Sequence, residues 1–453
     1  MFDACSSLDA CRHTISIIES HLLLDKEEQK EFTCAIELWA QKNADIKPTH
    51  YAYARLMLGY CRFYAEEYDV ALPIINDAER LFTEMGDLNS KALCQVLRGN
   101  IYRTLGNFDL ALQNMMTAEA QLSNAPLFLH YHLAALLNIG GIYLDTKHYD
   151  EAIAPFRKTL ELAEAAKRYY WMIYSLTGLG KSYAAMQNPL QAKECFQKAL
   201  DAAAIFDQPA SLTNSLGEMA SYLFLTGNLE EAEVLHKKAL ALREKHNLIG
   251  GAVTSCIRLG EIYVKQGRYD EAETILNKGL EMGTRINVKL KMYQVHFILS
   301  EMYGLKKDLA KSLSHYKLYN HLRTQVEEED SARNIKNARV VFEAEQTKKE
   351  NAVIKQQKEM IEKKNIELQE TIDKLTRARI GKKARAITLV IAIGLFLVED
   401  LILHSALTLA NTDNYFISIV IKIVIIFSLS PINKAIEGYL LKKVLREKRQ
   451  VLV

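Results

Sequence analysis

The feature that most restricts this chain is a recurrence. Gly140, Tyr143, Ala152 and Phe156 stand at offsets 0, 3, 12 and 16, and Gly180, Tyr183, Ala192 and Phe196 repeat them forty residues on, with Ala199 at offset 19. Gly260, Tyr263, Ala272, Leu276 and Gly279 keep the same frame, as do Gly99, Tyr102, Ala111, Met115 and Ala118 upstream. Looser copies run through Gly59, Ala71, Ile75 and Ala78, through Ala220, Leu223, Ala232 and Ala239, and through Ser300, Tyr303, Ser312 and Tyr316. The seven frames are separated by 40, 41, 40, 40, 40 and 40 residues. A period of this size and regularity marks a stack of similar units rather than one closed core.

Small residues at offsets 0, 12 and 19 let two antiparallel helices approach closely, and the tyrosine at offset 3 and the bulky residue at offset 16 fill the gap to the next pair. Short turns such as 147–151 and 267–271 separate the two helices, and Asp150 and Asp270 are expected to cap the second helix and set negative charge at its N-terminus. One such hairpin cannot bury its apolar face, so neighbours must stack into a solenoid. Composition agrees. Twenty glycines and seven prolines in 453 residues are too few for the turns of an all-β chain. Hydrophobic residues at 49% and charged residues at 25% exclude a disordered one. The expected fold class is all-α: a solenoid of about seven helical hairpins, then a long coiled-coil helix, then a C-terminal transmembrane helical hairpin.

The repeated positions resemble those of the tetratricopeptide repeat family, in the subclass with a forty-residue repeat found in adaptor and signalling proteins. The likeness covers roughly residues 50–325. It implies a groove, lined by the first helix of each repeat, that holds an extended peptide or helix. Asn100 and Asn138 match two asparagines with which the family's carboxylate-clamp subset grips a peptide backbone. The cationic positions of that clamp are Val96, Tyr174 and Gly178 here, so a terminal-carboxylate clamp of that kind is not expected. Arg98, Arg103, Lys181, Arg258 and Glu261 are the other polar residues expected on the groove face, the alternative being a merely solvated surface. The apolar spacing of Ile15, Ile17, Ile18, Leu22, Leu23, Cys34, Ile36, Leu38 and Trp39 reads as a degenerate repeat or cap over 1–48, ahead of a solenoid over 49–326.

Residues 327–383 read as a stalk. Ile354, Ile361, Leu368 and Leu375 recur every seven residues, while the companion positions Lys358, Asn365, Ile372 and Arg379 are mostly polar. That seam suits a parallel homodimer, or a single helix packed back on the array. Residues 384–433 contain two apolar stretches, 386–410 and 415–431, joined by four residues and long enough for two spans. Segment 377–385 carries five cations and no anion, and 432–453 a net +4, whereas 1–376 carry −5. Cations at both outer ends and none in the turn put both termini and the repeats in the cytoplasm, on an inner, multi-pass membrane protein. Glu399, Asp400 and Lys422 fall inside the apolar stretches, where a lone charge costs ~2.5–3.5 kcal/mol on insertion scales. They read as an ion pair locking the two helices, or as an ion path. Residues 434–453 have the spacing of a basic amphipathic helix for an anionic leaflet, or for a partner helix.

Seven scattered cysteines without a CxxC read as reduced thiols, and no signal peptide is expected. No phosphate loop, dinucleotide fingerprint, zincin or nucleophile-elbow motif is present, so no catalytic residue, metal or cofactor is expected, and nucleic acid is not an expected partner. The order of repeats, stalk and membrane segment is similar to that of bacterial signalling proteins, without their kinase or DNA-binding output. The expectation is therefore a non-enzymatic, membrane-anchored adaptor that binds a protein or peptide on its concave face. The alternatives are a peptide-sensing receptor that signals to the membrane hairpin, and an ion-conducting hairpin oligomer.

Overall fold

The computed structural model describes residues 34, 36, 38, 48–410 and 415–451. Among them there are helices and no strands. The helices are α1 (Pro48–Tyr64), α2 (Tyr68–Glu84), α3 (Leu88–Thr104), α4 (Phe108–Leu122), α5 (Leu129–Asp145), α6 (Tyr149–Ala165) and α7 (Tyr169–Ala185). They continue with α8 (Pro189–Phe206), α9 (Pro209–Leu225), α10 (Leu229–Lys245), α11 (Ile249–Lys265), α12 (Tyr269–Arg285), α13 (Lys289–Leu305), α14 (Leu309–Ala410) and α15 (Tyr415–Val451). The chain divides into two compact units, 1–346 and 347–453.

In the first unit each odd-numbered helix pairs with the even-numbered helix that follows it, and the start of α14 completes the seventh pair. The repeated small residues explain the closeness of each pair. A Cβ placed on Gly140 would lie 2.7 Å from the ring of Phe156, one on Gly180 2.8 Å from Phe196, one on Gly59 2.7 Å from Ile75 and one on Gly99 2.9 Å from Met115. Offset 0 is thus the socket for offset 16 of the same hairpin. Phe156 is also covered by Gly178 of the next hairpin, so the bulky residue bridges neighbouring units as well.

The turns are as regular as the packing. Within the repeats a residue in the left-handed region follows each helix by two positions, except after α8, where Asp207 follows directly, and between α4 and α5, where a 3-10 turn at Pro126–Phe128 stands instead. Glycine supplies it at Gly86, Gly106, Gly227 and Gly267, but Lys147 (φ 64°), Lys167 (φ 52°), Gln187 (φ 59°) and Asn247 (φ 54°) do so elsewhere. The N–H of His148 then donates to the Tyr143 carbonyl (2.7 Å) and that of Lys147 to Leu144 (3.0 Å), which satisfies carbonyls at the end of α5. Side-chain caps come from Asp87 (to the Ser90 N–H, 3.0 Å) and Asn107 (to the Leu110 N–H, 3.1 Å). Asp150 and Asp270 do not cap. They sit one position inside their helices, after the N-cap residues His148 and Arg268, and act through charge in the first turn; Asp270 accepts from Lys306, the C-cap residue of α13, at 2.8 Å.

Odd-numbered neighbours also touch one another along the array, from α1·α3 to α11·α13, and even-numbered neighbours do so less. The odd-numbered helices therefore form the inner wall. Of the N-terminal segment, Ile36 is fully buried against the first repeats, while the other apolar residues of 1–33 and Trp39 lie outside the described residues. α14 also returns to the first repeats: Val340 is buried in the core built by α1–α5, and the Tyr102 hydroxyl donates to Glu345 at 3.2 Å. Burial, with the Glu345 charge behind it, pushes the Tyr102 phenol up to about 12.

In the second unit α14 and α15 pack side by side. Ile380, Ala384 and Ala392 are buried, and the Thr388 hydroxyl donates to Asn433 Oδ1 at 3.3 Å. α15 runs through Pro431 without a break. Ile354, Ile361, Leu368 and Leu375 are all exposed on α14.

Candidate functional site

The inner wall carries polar residues that bridge one odd-numbered helix to the next. Arg103 on α3 donates from Nε and Nη2 to Asp145 Oδ2 on α5 (3.0 and 2.8 Å) and from Nη1 to Asn138 Oδ1 (2.9 Å). Asn138 in turn donates to the Ala134 carbonyl at 2.9 Å. Gly141 makes the bridge feasible, since a Cβ there would sit 2.7 Å from an Arg103 nitrogen. Lys181 on α7 reaches Glu218 on α9 at 2.7 Å. Arg258 pairs with Glu261 one turn along α11 at 2.8 Å. Asn100 is half-buried on α3, and its side-chain amide has no hydrogen-bond partner among the described residues.

Of the residues singled out from sequence, Arg103 and Asn138 are brought together, and Lys181, Arg258 and Glu261 lie on further odd-numbered helices. Arg98 departs from its expected place. It is only 6% exposed and turns into the hairpin, where its guanidinium donates to Asn114 Oδ1 of α4 (2.8 Å), to Asn76 Oδ1 of α2 (3.0 Å) and to the Glu79 carboxylate. Burial opposes its charge, but the hydrogen bond to Glu79 and that carboxylate's charge hold its pKa above the ordinary arginine value. Its role is to clamp α3 to its neighbours. Exposed carboxylate pairs such as Lys181–Glu218 contribute little stability, typically below ~1 kcal/mol, so their effect is to fix which polar atoms the wall presents.

Two buried residues of α10 were not singled out from sequence. His236 occupies offset 16 counted from Ala220, where Phe156, Phe196 and Leu276 stand in other repeats; it is 2% exposed and neither ring nitrogen has a partner. Burial first, then the nearby Arg258 and Arg243 charges, push it down to about 4, so it stands neutral. Arg243, in the last turn of α10, passes inward between α9 and α11. A histidine at a position reserved for a bulky apolar side chain was the available signal for the first. The inward course of Arg243 had none, because a basic residue ending a helix ordinarily complements the dipole.

In the second unit, Lys422 of α15 lies 3.2 Å from Asp400 and 3.6 Å from Glu399 of α14. Glu399 is buried and Asp400 exposed. Apolar side chains around this group, including Leu397, Leu401, Ile419, Val424 and Phe427, are exposed. Two helical stretches of the described residues are long and apolar enough to cross a membrane: Pro126–Asp145, whose apolar window is more than half buried and belongs to the repeat core, and Ile419–Val444, whose window is not buried at all. Among the described residues no cluster of three or more histidine, cysteine or carboxylate side chains could hold a metal ion.

The profile of the tetratricopeptide repeat family matches residues 131–205, 171–245 and 210–285 in overlapping windows. A curated relative, response regulator aspartate phosphatase H of Bacillus subtilis strain 168, is 27% identical over 147 residues, or 32% of this chain; the match spans about two fifths (39%) of that protein's length. Among solved structures, a Rap protein complexed with Competence and Sporulation Factor superposes with a TM-score of 0.51 and 15% identity, covering 71% of this chain and 99% of that one. The apo form of RapI gives 0.50 and 15%, covering 61% and 99%. A signal-transduction ATPase with a tetratricopeptide repeat sensor from Pyrococcus horikoshii gives 0.54 and 16%, covering 71% and 51%. At these identities the structural likeness is one of fold.

Proposed function

Taking the chain as a tetratricopeptide-repeat protein, we propose that it is a membrane-tethered adaptor that holds an extended peptide or a segment of a partner protein on the inner wall of its odd-numbered helices. The tetratricopeptide fold is one of protein- and peptide-binding adaptors and regulators. The observation that carries the reading is the wall itself: asparagine, arginine and lysine side chains of successive odd-numbered helices are held in fixed positions by Arg103–Asn138–Asp145 and Lys181–Glu218, and Asn100 is free beside them. Fixed donors and acceptors in a row suit a backbone laid across several repeats, because ordering them costs little at binding. A Rap protein of similar fold is complexed with Competence and Sporulation Factor, which favours use of this array for binding.

The tether rests on three features. Exposed apolar side chains recur along α14 from Ile387 to Ile402 and along α15 from Phe416 to Phe427. Cationic clusters flank both stretches. The Lys422–Asp400 and Lys422–Glu399 pairs would offset the cost of placing these charges in hydrocarbon. With the cationic ends on the inner leaflet, both termini and the repeats face the cytoplasm. The exposed heptad stripe of α14 gives a seam for a parallel homodimer.

The test is capture from a cell extract with the full chain held in detergent, beside an Asn100→Ala/Asn138→Ala variant. A defined set of proteins or peptides retained by the parent and lost at least ten-fold by the variant, at unchanged helicity, is expected. Equal retention by both removes the wall as the binding face. Release of the protein from membranes by alkaline carbonate would remove the tether.

A further inference from the structure

Two arginines are buried among the described residues, Arg98 and Arg243, each 6% exposed. Arg98 meets the carboxylate of Glu79. Arg243 meets none. Its Nη1 donates to the Gly251 carbonyl (3.1 Å) and to Ser255 Oγ (2.7 Å), and its Nη2 to the Thr213 carbonyl (3.1 Å) and Asn214 Oδ1 (3.3 Å), all of them neutral. Its Nε–H is buried without an acceptor. A second cation arrives at the same place. Lys291 of α13 donates from Nζ to the carbonyl of Gly250, adjacent to the one that holds Arg243, and it too has no carboxylate partner among the described residues.

Their surroundings reinforce the imbalance. Burial lowers the pKa of Arg243, and burial followed by the Arg243 charge lowers that of Lys291. Glu218 acts in the opposite sense on Arg243, but its carboxylate is engaged by Lys181. Arg258 adds a third cation on α11, matched by Glu261. Buried charges in folded chains are ordinarily paired, because an unpaired one is expensive to keep out of water. Here the counter-charge is not supplied by the described residues.

The wall is also thinned at this point. Gly217, Gly250 and Gly251 stand where side chains would otherwise cover the two cations. A Cβ on Gly251 would be 2.8 Å from Arg243 Nε, one on Gly217 3.4 Å from its Nη2, and one on Gly250 3.8 Å from Lys291 Nζ. Lys291 is half-buried and keeps two further N–H donors after serving Gly250, whereas Arg243 supplies fixed positive potential from behind the glycines.

We propose that Arg243 and Lys291 form an anion-binding centre at α9–α13, and that it takes a carboxylate of the extended ligand, with Lys291 making the contact and Arg243 the field behind it. The proposal rests on the groove being a peptide-binding wall and adds the chemistry of what is recognised there. A carboxylate, rather than a phosphate dianion, matches one mobile ammonium and one recessed guanidinium already partly served by carbonyls.

Arg243→Met would remove bonds to two helices as well as the charge, so Lys291→Met carries the test. The full chain in detergent is presented with two randomised heptapeptide libraries, one with free C-termini and one amidated, and retained peptides are sequenced. The expected result is one of two patterns, each lost by Lys291→Met with a ten- to hundred-fold fall in retention. Enrichment of Asp or Glu at one position in both libraries assigns a side-chain carboxylate; retention from the free-terminus library alone assigns the terminal one. Peptides retained by both proteins without acidic preference would overturn the anion centre and leave the peptide-binding reading standing. If neither library is retained, sodium succinate is compared with sodium chloride at equal ionic strength. A rise in melting temperature with the parent but not with Lys291→Met then supports the centre without the peptide, and no difference overturns it. Stabilisation by inorganic phosphate and not by succinate overturns the carboxylate assignment.

Discussion

Gly140→Ala is the most direct test of how the hairpins nest. A methyl at Gly140 would sit 2.7 Å from the Phe156 ring, well inside the ~3.5–4.0 Å at which carbon atoms attract. The ring cannot turn away, because its far side lies against Gly178 and it is 2% exposed. The two helices must therefore separate or the ring must leave its rotamer, a strain of about 1–3 kcal/mol. Against this, alanine is favoured over glycine in a helix interior by about 1 kcal/mol, so a net loss of roughly 1 kcal/mol is expected. Phe156→Ala empties the same socket from the other side and should cost about 3–5 kcal/mol. The sharper measurement is the cycle with Phe156→Leu, a smaller side chain that makes room for the new methyl. If the contact is as described, the double variant is more stable than the sum of its parts by roughly 0.5–2 kcal/mol. Gly304→Ala on α13 is the control: its nearest neighbour would be Ser312 Oγ at 3.6 Å, an ordinary contact, so it should be neutral or stabilising by up to ~1 kcal/mol. Denaturant unfolding of the full chain in detergent, followed by far-ultraviolet circular dichroism, reads all of these. Strict additivity in the cycle, or a Gly140→Ala variant as stable as Gly304→Ala, would refute the socket.

Two further outcomes follow from the turns and from the buried histidine. Lys147 holds a left-handed conformation at φ 64°, which costs a residue with a Cβ roughly 1–2 kcal/mol, part of which glycine gives back through a freer unfolded chain. Lys147→Gly should thus stabilise by about 0.5–1 kcal/mol in the same unfolding assay, and Gly267→Ala should destabilise by a similar amount. His236 titrates near pH 4 when folded and near 6.5 when unfolded, so the folded state disfavours its proton. Its contribution is fully present above pH 6.5 and is lost as pH falls through 6.5 towards 4. His236→Leu should flatten stability over that window, by at most ~3 kcal/mol from the size of the shift. A residual slope is expected from His296, which burial and the adjacent His315 also push down to about 4. An unchanged pH profile would place His236 in contact with water.

What could be read in the sequence was what depends on side-chain volume at fixed spacing. Glycine at offset 0 and a bulky residue at offset 16 have one steric reason to recur, and the pair is found in contact in hairpin after hairpin. Turn geometry was half hidden. Gly106 and Gly267 announce a left-handed residue, but Lys147, Lys167 and Gln187 adopt the same conformation without any residue preference to betray it. The return of α14 to the first repeats was legible only as the alternative to a dimer seam, and where it lands was not, since a contact between Val340 and residues near position 100 is set by the accumulated geometry of seven units rather than by any local pattern. Polar residues were the hardest case. Arg98 and Arg103 are five positions apart on one helix, yet one turns into the hairpin towards Glu79 and the other along the wall towards Asp145. The difference lies in which partners bear a carboxylate at the right depth, and that information sits in other helices.

The same accounting gives the wall a polarity. Towards the N-terminal repeats its cations are answered two helices on, Arg103 by Asp145 and Lys181 by Glu218, so that end offers hydrogen bonds from near-neutral groups and the free amide of Asn100. At α9–α13 Arg243 and Lys291 have no answering carboxylate among the described residues and rest on carbonyls instead. Neutral polar contacts tolerate many backbones in either direction, whereas an unmatched buried cation discriminates strongly against any ligand that leaves it unmatched. On the proposed reading, an extended chain on this wall would be aligned by its acidic group at α11 and α13 and measured along its length by the asparagine positions. Binding should then weaken about equally for all ligands when Asn100 is changed, but selectively for acidic ones when Lys291 is.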